Sequence, residues 1–184
     1  MPIRNTNDRY GLVHVFLHWL MAVTIFGTFV LGLWMVELDY YDAWYKKAPD
    51  LHRSIGVFIV ILLTVRLAWR LSNPVPAPLP SHTHFERLTA VVVHTCLYVL
   101  VVAVAIAGYL MSTADGRSVL VFDWFEVPAT VTGIDNQEDI AGEIHFYLAV
   151  LLIALVAVHG LAALKHHLVD KDATLRRMFL NTEL

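Results

Sequence analysis

The sequence contains very little cysteine and little charge. One cysteine, Cys96, occurs among 184 residues, so the chain has neither a disulfide framework nor a cysteine-based metal site. Only 16% of the residues are charged, whereas 58% are hydrophobic and the mean hydropathy is +0.61. A soluble domain of this length does not need so much apolar surface. The composition therefore excludes a large soluble domain and indicates an integral membrane protein.

Four long apolar stretches account for most of this hydrophobicity. Each is near or above the roughly 20 residues that a membrane-spanning helix needs. The first is too long for the apolar part of a signal peptide and lacks a small-residue cleavage site, so we interpret it as a retained span. The sequence predicts an all-α membrane protein with a single domain over residues 1–184, a four-helix transmembrane bundle with spans at about 11–36, 51–71, 88–111 and 143–168.

The connections between the spans differ in character. The second, residues 72–87, carries alternate prolines, which cannot continue a helix and predict a stiff, extended crossing. The third, residues 112–142, is the longest, and its aromatic residues Phe122, Trp124 and Phe125 favour some structure of its own.

The distribution of Lys and Arg predicts the orientation, because these residues are enriched in cytoplasmic loops. With the N-terminus inside, nine of them lie in inner regions and four in outer regions, the four being Lys46, Lys47, Arg53 and Arg117. We therefore expect both termini to be cytoplasmic.

Four histidines lie in or at the ends of the spans, namely His18, His52, His145 and His159. An ionisable side chain inside a bilayer is costly and by default marks a functional site, and neutral imidazole is a common ligand of haem iron. In the predicted topology His18 and His159 lie near the inner face, and His52 and His145 near the outer face. Each pair is positioned to hold one haem by two axial imidazoles, a ligation that suits electron transfer.

The spacing of His145 and His159 supports two metal sites at different depths. Fourteen residues separate them on the fourth span. At about 100° and 1.5 Å per residue, both side chains point to one side of the helix, roughly 21 Å apart along its axis. The hydrocarbon core is about 30 Å thick, so this is the spacing expected for electron transfer across a membrane.

Alternatives remain open for the inner site. A histidine in a span can simply hydrogen-bond to a neighbouring helix, although matched depths for all four favour ligation. His94, in the third span, is an alternative to His18 as the partner of His159. His14 lies one turn before His18, and we expect it to be solvated at the interface.

Three further histidines and one arginine are candidates for other roles. His166 lies two turns after His159 on nearly the same face, where it contacts a quinone or occupies the membrane interface. His82 and His84, in the proline-rich connection, are expected to be solvated. Arg66 shares the face of His52 at the inner end of the second span, and it either pairs with a haem propionate or serves as an interfacial anchor.

Several sequence pieces occur in an order that resembles the bacterial cytochrome b561 family, which is related to the cytochrome b subunits of nickel-iron hydrogenases. The pieces are Arg9-Tyr10, His18-Trp19, His52 with Gly56, Arg66, the run His94–Tyr98, His145, His159 and the stretch Lys171–Met178. The resemblance covers nearly the whole chain. It implies a four-helix bundle in the bacterial cytoplasmic (inner) membrane with two b-type haems, and iron ligands at His18, His52, His145 and His159.

The resemblance also implies a function in respiratory electron transport. Members of this family pass electrons between a quinone of the membrane, such as ubiquinone, and a redox partner on the periplasmic side. The alternatives are a superoxide:ubiquinone oxidoreductase and a haem-b anchor subunit of a larger redox enzyme. No Cys-x-x-Cys-His motif is present for covalent haem attachment, no residue is assigned as catalytic, and no nucleic-acid partner is expected.

The predicted outer regions are strongly acidic. They hold eleven acidic residues against the four basic ones, a net charge of −7. Such a field repels an anion such as superoxide and favours a cationic partner such as a basic soluble cytochrome, unless the four basic residues form a local positive entry.

Overall fold

The computed structural model describes residues 2–179, and four long helices dominate it. They are α1 (Leu12–Met35), α2 (Lys47–Leu71), α3 (His84–Ser112) and α4 (Gln137–Leu168). Each is long and apolar enough to cross a membrane, so the prediction of four helices of spanning length is confirmed. Compared with the predicted spans, α2 and α3 begin four residues earlier and α4 six. Residues 1 and 180–184 of the predicted domain lie outside the described part.

The chain divides into two compact units, and each helix contributes one segment to each unit. The central unit comprises Val23–Ile61 and Val99–Ile153, and the terminal unit comprises Met1–Ala22, Leu62–Tyr98 and Ala154–Leu184. The central unit contains four basic and eleven acidic residues, whereas the terminal unit contains nine basic and five acidic ones. The charge asymmetry that the sequence suggested therefore follows this division of the chain. The single domain over residues 1–184 stays a prediction.

The third connection contains a short antiparallel hairpin of β1 (Val119–Val121) and β2 (Phe125–Val127). Its turn places Phe122 and Asp123 in the left-handed region, with φ of 49° and 59°. Two consecutive residues with positive φ match the twist of the flanking strands, as in type I′ turns. The hydroxyl of Ser54 on α2 accepts the Phe122 N–H at 3.1 Å, which attaches the hairpin to α2.

Local charges and caps define the ends of the two longest helices. The Thr83 N–H donates to the Glu86 carboxylate at 2.9 Å and the Glu86 N–H donates to the Thr83 hydroxyl at 3.2 Å, which forms a capping box at the start of α3. Helix α4 has Glu138 and Asp139 in its first turn and Lys165 in its last, as the helix dipole favours.

Asn5 connects the N-terminal segment to the proline-rich connection within the terminal unit. Its amide oxygen accepts the Gly11 N–H at 2.8 Å, and its amide nitrogen donates to the Pro74 carbonyl at 3.0 Å. The Asn5 residue is only 7% exposed. At Gly11 a Cβ would lie 2.4 Å from the backbone of Ile3 and Arg4, so this packing requires glycine.

The first prediction concerns this buried amide. Asn5→Ala leaves a backbone donor and a backbone acceptor without partners, so we expect the free energy of unfolding in detergent to fall by about 2 kcal/mol. Asn7→Ala is the matched control, because the Asn7 side chain is exposed and only its backbone carbonyl is used, by the Ala77 N–H at 2.8 Å. Equal stability of the two variants would show that the Asn5 bridge contributes nothing.

Candidate functional site

Two of the predicted site residues face each other inside the central unit. His52 on α2 and His145 on α4 have ring centroids 6.0 Å apart, with their planes at 75°. We call them the central pair. Both rings line one cavity of about 430 Å³.

The cavity of the central unit is almost entirely apolar. Besides the two histidines, its walls include Phe29, Val101 and Leu152, and Gly56 of α2 also faces it. A Cβ at Gly56 would have no neighbour within 4 Å. The volume falls in the range of about 300–1,000 Å³ that is usual for ligand and cofactor pockets. The cavity is thus suited to a large apolar ligand that the two imidazoles contact.

Glycines allow the central pair to lie against neighbouring helices. A Cβ at Gly108 of α3 would lie 2.8 Å from the His145 Nδ1, and one at Gly32 of α1 would lie 3.0 Å from the His52 Cε1. The first distance is shorter than real Cβ contacts, so position 108 has to be glycine while the ring keeps this place. Sequence reasoning missed both glycines, and their only signal was a glycine inside an apolar span.

Hydrogen bonding determines which nitrogen of His145 is available. Its Nδ1 lies 2.9 Å from the carbonyl oxygen of Val104 on α3. A carbonyl only accepts, so Nδ1 carries the proton and Nε2 is left with a free lone pair. This arrangement is typical of metal-binding histidines, whose other nitrogen donates to a backbone carbonyl. The Nδ1 of His52 is buried and makes no hydrogen bond among the described residues.

Three predicted or alternative residues meet in the terminal unit. The ring centroids of His18 and His159 are 6.3 Å apart, and those of His94 and His159 are 5.2 Å apart. The structure therefore brings His159 together with both of its candidate partners. We call these three residues the terminal cluster.

The centroid distances distinguish the two partners. Two imidazoles on opposite sides of one metal atom, with metal–nitrogen bonds of about 2 Å, have ring centroids about 6 Å apart. The central pair at 6.0 Å and the His18–His159 pair at 6.3 Å match this separation. The His94–His159 pair at 5.2 Å leaves less room for a bridging atom.

Arg66 reaches into the terminal cluster. Its Nη2 lies 2.9 Å from the Nδ1 of His18, and its guanidinium lies 5.8 Å from the ring centroid of Tyr98. A guanidinium only donates, so the Nδ1 of His18 accepts and its Nε2 carries the proton. The Arg66 Nε is buried without a partner, and no carboxylate pairs with this arginine in the described part of the chain. The site therefore has a half-buried cation that can accept an anionic ligand.

Two expectations about the other histidines are wrong. His14 is not solvated: it is 6% exposed and stacks on Tyr10 with ring centroids 4.3 Å apart. His82 is not solvated either, because 18% of its side chain is exposed and its Nε2 lies 2.9 Å from the Thr174 hydroxyl. The neighbouring Tyr10 ring covers the His14 imidazole, and the segment that contains Thr174, distant in sequence, covers the His82 imidazole. His84 is exposed, as expected.

His166 is half-buried and engaged in ion pairing. Its Nδ1 lies 2.9 Å from a carboxylate oxygen of Asp170 and 3.0 Å from one of Asp172. Both carboxylates contact this same nitrogen, and the proposed contact of His166 with a quinone stays a prediction.

Comparison with known proteins gives one family match that covers nearly the whole chain. The family model described as prokaryotic cytochrome b561 matches residues 9–181. A similar protein is cytochrome b561 homolog 2 of Escherichia coli (strain K12), which is 51% identical over 178 residues, covering 97% of this chain and 95% of the relative.

Two more distant relatives are similar over the same length. The probable superoxide oxidase CybB of Yersinia pestis is 28% identical over 177 residues, or 94% of this chain and 96% of the relative. Cytochrome b561 homolog 1 of Escherichia coli (strain K12) is 26% identical over 178 residues, or 93% and 97%.

The close packing of His145 against Gly108 predicts the direction in which a substitution at position 108 changes the free energy of unfolding. In an open helical position Gly→Ala stabilises by up to about 1 kcal/mol, whereas overpacking costs about 1–3 kcal/mol. We expect Gly108→Ala to lower the free energy of unfolding, because its methyl group collides with His145. We expect Gly27→Ala, which meets nothing within 4 Å on α1, to raise it slightly. Stabilisation by both substitutions, measured by denaturation in detergent, would contradict the close approach of His145.

Proposed function

Because the chain belongs to the prokaryotic cytochrome b561 family, we propose that it moves electrons across the membrane through two b-type haems, each held by two histidines. Membership itself makes the protein a membrane electron-transfer cytochrome, multi-pass in the bacterial inner membrane, and implies b-type haem. The number of haems, their ligands and the redox partners are the proposal.

One observation carries this proposal. In each unit, two histidines from different helices face each other across about the separation that one shared metal atom requires, 6.0 Å for His52–His145 and 6.3 Å for His18–His159. A haem held in this way would supply one-electron transfer, which suits an electron carrier better than oxygen binding.

In the central unit, the residues present fit a haem well. The hydrogen bond to Val104 holds the His145 ring with its Nε2 free of a proton. The cavity walls present little polar surface to the space between the rings, and such an apolar environment would influence the redox potential of a bound haem. His52 and His145 would therefore hold the iron of this haem.

In the terminal unit, the proposed ligands are His18 and His159, and Arg66 has to change partner. Binding iron through the His18 Nε2 requires that nitrogen to lose its proton, so the Nδ1 can no longer serve as the acceptor for Arg66. A haem propionate supplies the carboxylate toward which the guanidinium would then turn. We therefore retain Arg66 as the proposed propionate partner, and His94 as the rival of His18.

The spacing in the sequence supports two sites at different depths, because His145 and His159 are fourteen residues apart in one predicted span. The nine basic residues of the terminal unit, against four in the central unit, support the proposal that both termini are cytoplasmic. Electrons would then pass between the periplasmic side at the central pair and the quinone pool at the terminal cluster.

The charge of the central unit supports a cationic partner rather than superoxide. Two of its four basic residues are neutralised locally, Arg53 by Asp50 and Arg117 by Asp115. The Arg117 guanidinium hydrogen-bonds to Asp115 and holds the pKa of that carboxyl below its usual value. Only Lys46 and Lys47 remain for a local positive entry. The leading proposal is therefore a basic soluble redox protein on this side.

Two alternatives remain with their own support. A relative 28% identical is named a probable superoxide oxidase, which keeps superoxide:quinone oxidoreductase activity as the second candidate. Superoxide-driven quinone reduction by the purified protein would favour it. Stable co-purification with a larger redox enzyme would favour the role of a haem-b anchor subunit.

The ligand assignment gives a prediction for haem content. We expect about two haems per purified wild-type chain, with a sharp α-band in the reduced-minus-oxidised spectrum. His52→Ala and His159→Ala should each lose about one haem because each removes one axial ligand. His18→Ala should lose one as well, whereas His94→Ala should keep both.

The outcomes separate the rival assignments. Loss of one haem in His94→Ala with two kept in His18→Ala would transfer the inner ligand to His94. A colourless wild type, or two haems in both His52→Ala and His159→Ala, would refute the paired arrangement altogether.

The partner proposal gives a prediction for ionic strength. Electron exchange with a basic soluble cytochrome should slow about tenfold or more as salt rises from 0.01 to 0.15 M, because screening weakens steering by opposite charges. The double variant Asp123→Asn/Asp135→Asn removes two exposed charges of the central unit and should reduce this dependence. The control Asp8→Asn, in the terminal unit, should not. A rate independent of salt would argue against the cationic partner.

A further inference from the structure

We propose that the terminal unit contains a binding site for a divalent transition-metal ion such as Zn²⁺, formed by His82, His166 and Asp172. This His–Asp cluster shares no residue with the proposed haem ligands. Of its two histidines, His82 was expected from the sequence to be solvated, and His166 to contact a quinone or to lie at the membrane interface.

The ligand atoms of the His–Asp cluster converge as a metal site requires. The two imidazole nitrogens and the carboxylate oxygen all lie within 4.8 Å of one another. The Asp172 Oδ2 is 3.0 Å from the His166 Nδ1 and 3.3 Å from the His82 Nε2. Ligands at about 2.0–2.2 Å from a tetrahedral zinc ion are separated by about 3.3 Å, so the Asp172 oxygen lies at about the required distance from both imidazole nitrogens. A bound ion would replace the contacts of these nitrogens with Asp170 and Thr174.

Three chain segments supply these atoms. His82 comes from the proline-rich connection, His166 from the end of α4, and Asp172 from the segment that follows α4. Lys171 adopts a left-handed conformation with φ of 56°, which turns the chain just before Asp172. The side chains are 18%, 14% and 8% exposed, so the cluster is shielded but reachable from solvent.

The second oxygen of Asp172 is already held by the backbone. Its Oδ1 accepts the Thr174 N–H at 2.8 Å, which leaves Oδ2 directed at both imidazoles. Metal-ligating carboxylates are commonly held in this way by hydrogen bonds from outside the ligand set. The carboxylate is therefore oriented without the metal, and binding does not have to order it.

The local charge favours a divalent cation. With neutral histidines, the carboxylates of Glu86, Asp170 and Asp172 against the ammonium of Lys165 leave a net charge of −2. Lys165 already pairs with Glu86 at 2.9 Å and Asp170 at 2.8 Å, so Asp172 is the carboxylate left for a metal. Two imidazoles with one carboxylate form a ligand set that suits Zn²⁺ and other late first-row ions better than Mg²⁺ or Ca²⁺.

A bound ion would fasten the segment after α4 to the proline-rich connection. Two hydrogen-bonded contacts already link these segments, one from Arg177 to the Ala77 carbonyl at 2.9 Å and one between the His82 Nε2 and the Thr174 hydroxyl at 2.9 Å. Lys171 and Arg176, both potential trypsin sites, lie beside Asp172 or shortly after it. Cleavage there requires the local backbone to open, and a metal cross-link opposes that opening.

The test is a Zn²⁺ titration of the purified, haem-loaded full chain after treatment with a chelator. We expect one tight Zn²⁺ per chain, an X-ray absorption spectrum with two imidazole ligands, and at least tenfold slower trypsin cleavage after Lys171. His82→Ala and His166→Ala should weaken binding at least tenfold. Asp172→Asn, which keeps the shape and the hydrogen bond to Thr174, should do the same without unfolding the segment.

Neighbouring histidines provide matched controls. His84 and His167 are exposed, and each lies within two residues of a cluster member. His84→Ala and His167→Ala should bind Zn²⁺ within twofold of the wild type. No tight site in the wild type, unchanged binding in Asp172→Asn, or equal loss in the exposed-histidine controls would overturn the proposal and leave the cluster as a hydrogen-bonded clamp.

Discussion

The central unit depends on one steric constraint, which is that an imidazole ring has to lie directly against the backbone of a neighbouring helix. Gly108 meets this constraint for His145, and the same approach brings the ring within hydrogen-bond distance of the Val104 carbonyl. One close contact thus determines both the position of the ring and which of its nitrogens is free. The facing ring of His52 lies against Gly32 of α1 in the same way, so each ring of the central pair packs against a glycine of a neighbouring helix.

In the terminal unit, a charged side chain rather than a glycine and a backbone carbonyl positions the imidazole ring of His18. There Arg66 donates to His18, and its half-buried guanidinium pairs with no carboxylate within the described residues. A ring held by a donor presents the opposite tautomer from one held by a carbonyl. The two proposed haem sites therefore differ in preorganisation. The Nε2 of His145 is already free of its proton, whereas the Nε2 of His18 becomes free only when Arg66 turns from His18 to an anionic partner.

The sequence predicts the features that follow from helical periodicity and from the thickness of the membrane, but it does not predict the contacts that the connecting segments make. The four helices and the meeting of His145 with His52 follow from span length and helical rise, because a bilayer leaves few other arrangements. The aromatic residues of the third connection predict some structure there, but the turn of Phe122 and Asp123 lacks the glycine or asparagine that marks hairpin turns, so the sequence does not predict a hairpin. His82 looked solvated because its neighbours are polar in sequence, whereas Asp172 reaches it from ninety residues away.

The anchoring of the hairpin gives it a mechanical relation to the central pair. Ser54 lies two residues after His52, accepts the N–H of Phe122 and donates to the Asp50 carbonyl at 2.9 Å. The hydroxyl thereby joins the base of the hairpin turn to the helical turn that carries the imidazole. A partner that binds the exposed Trp124 would therefore contact a hairpin that is hydrogen-bonded to the helical turn next to His52.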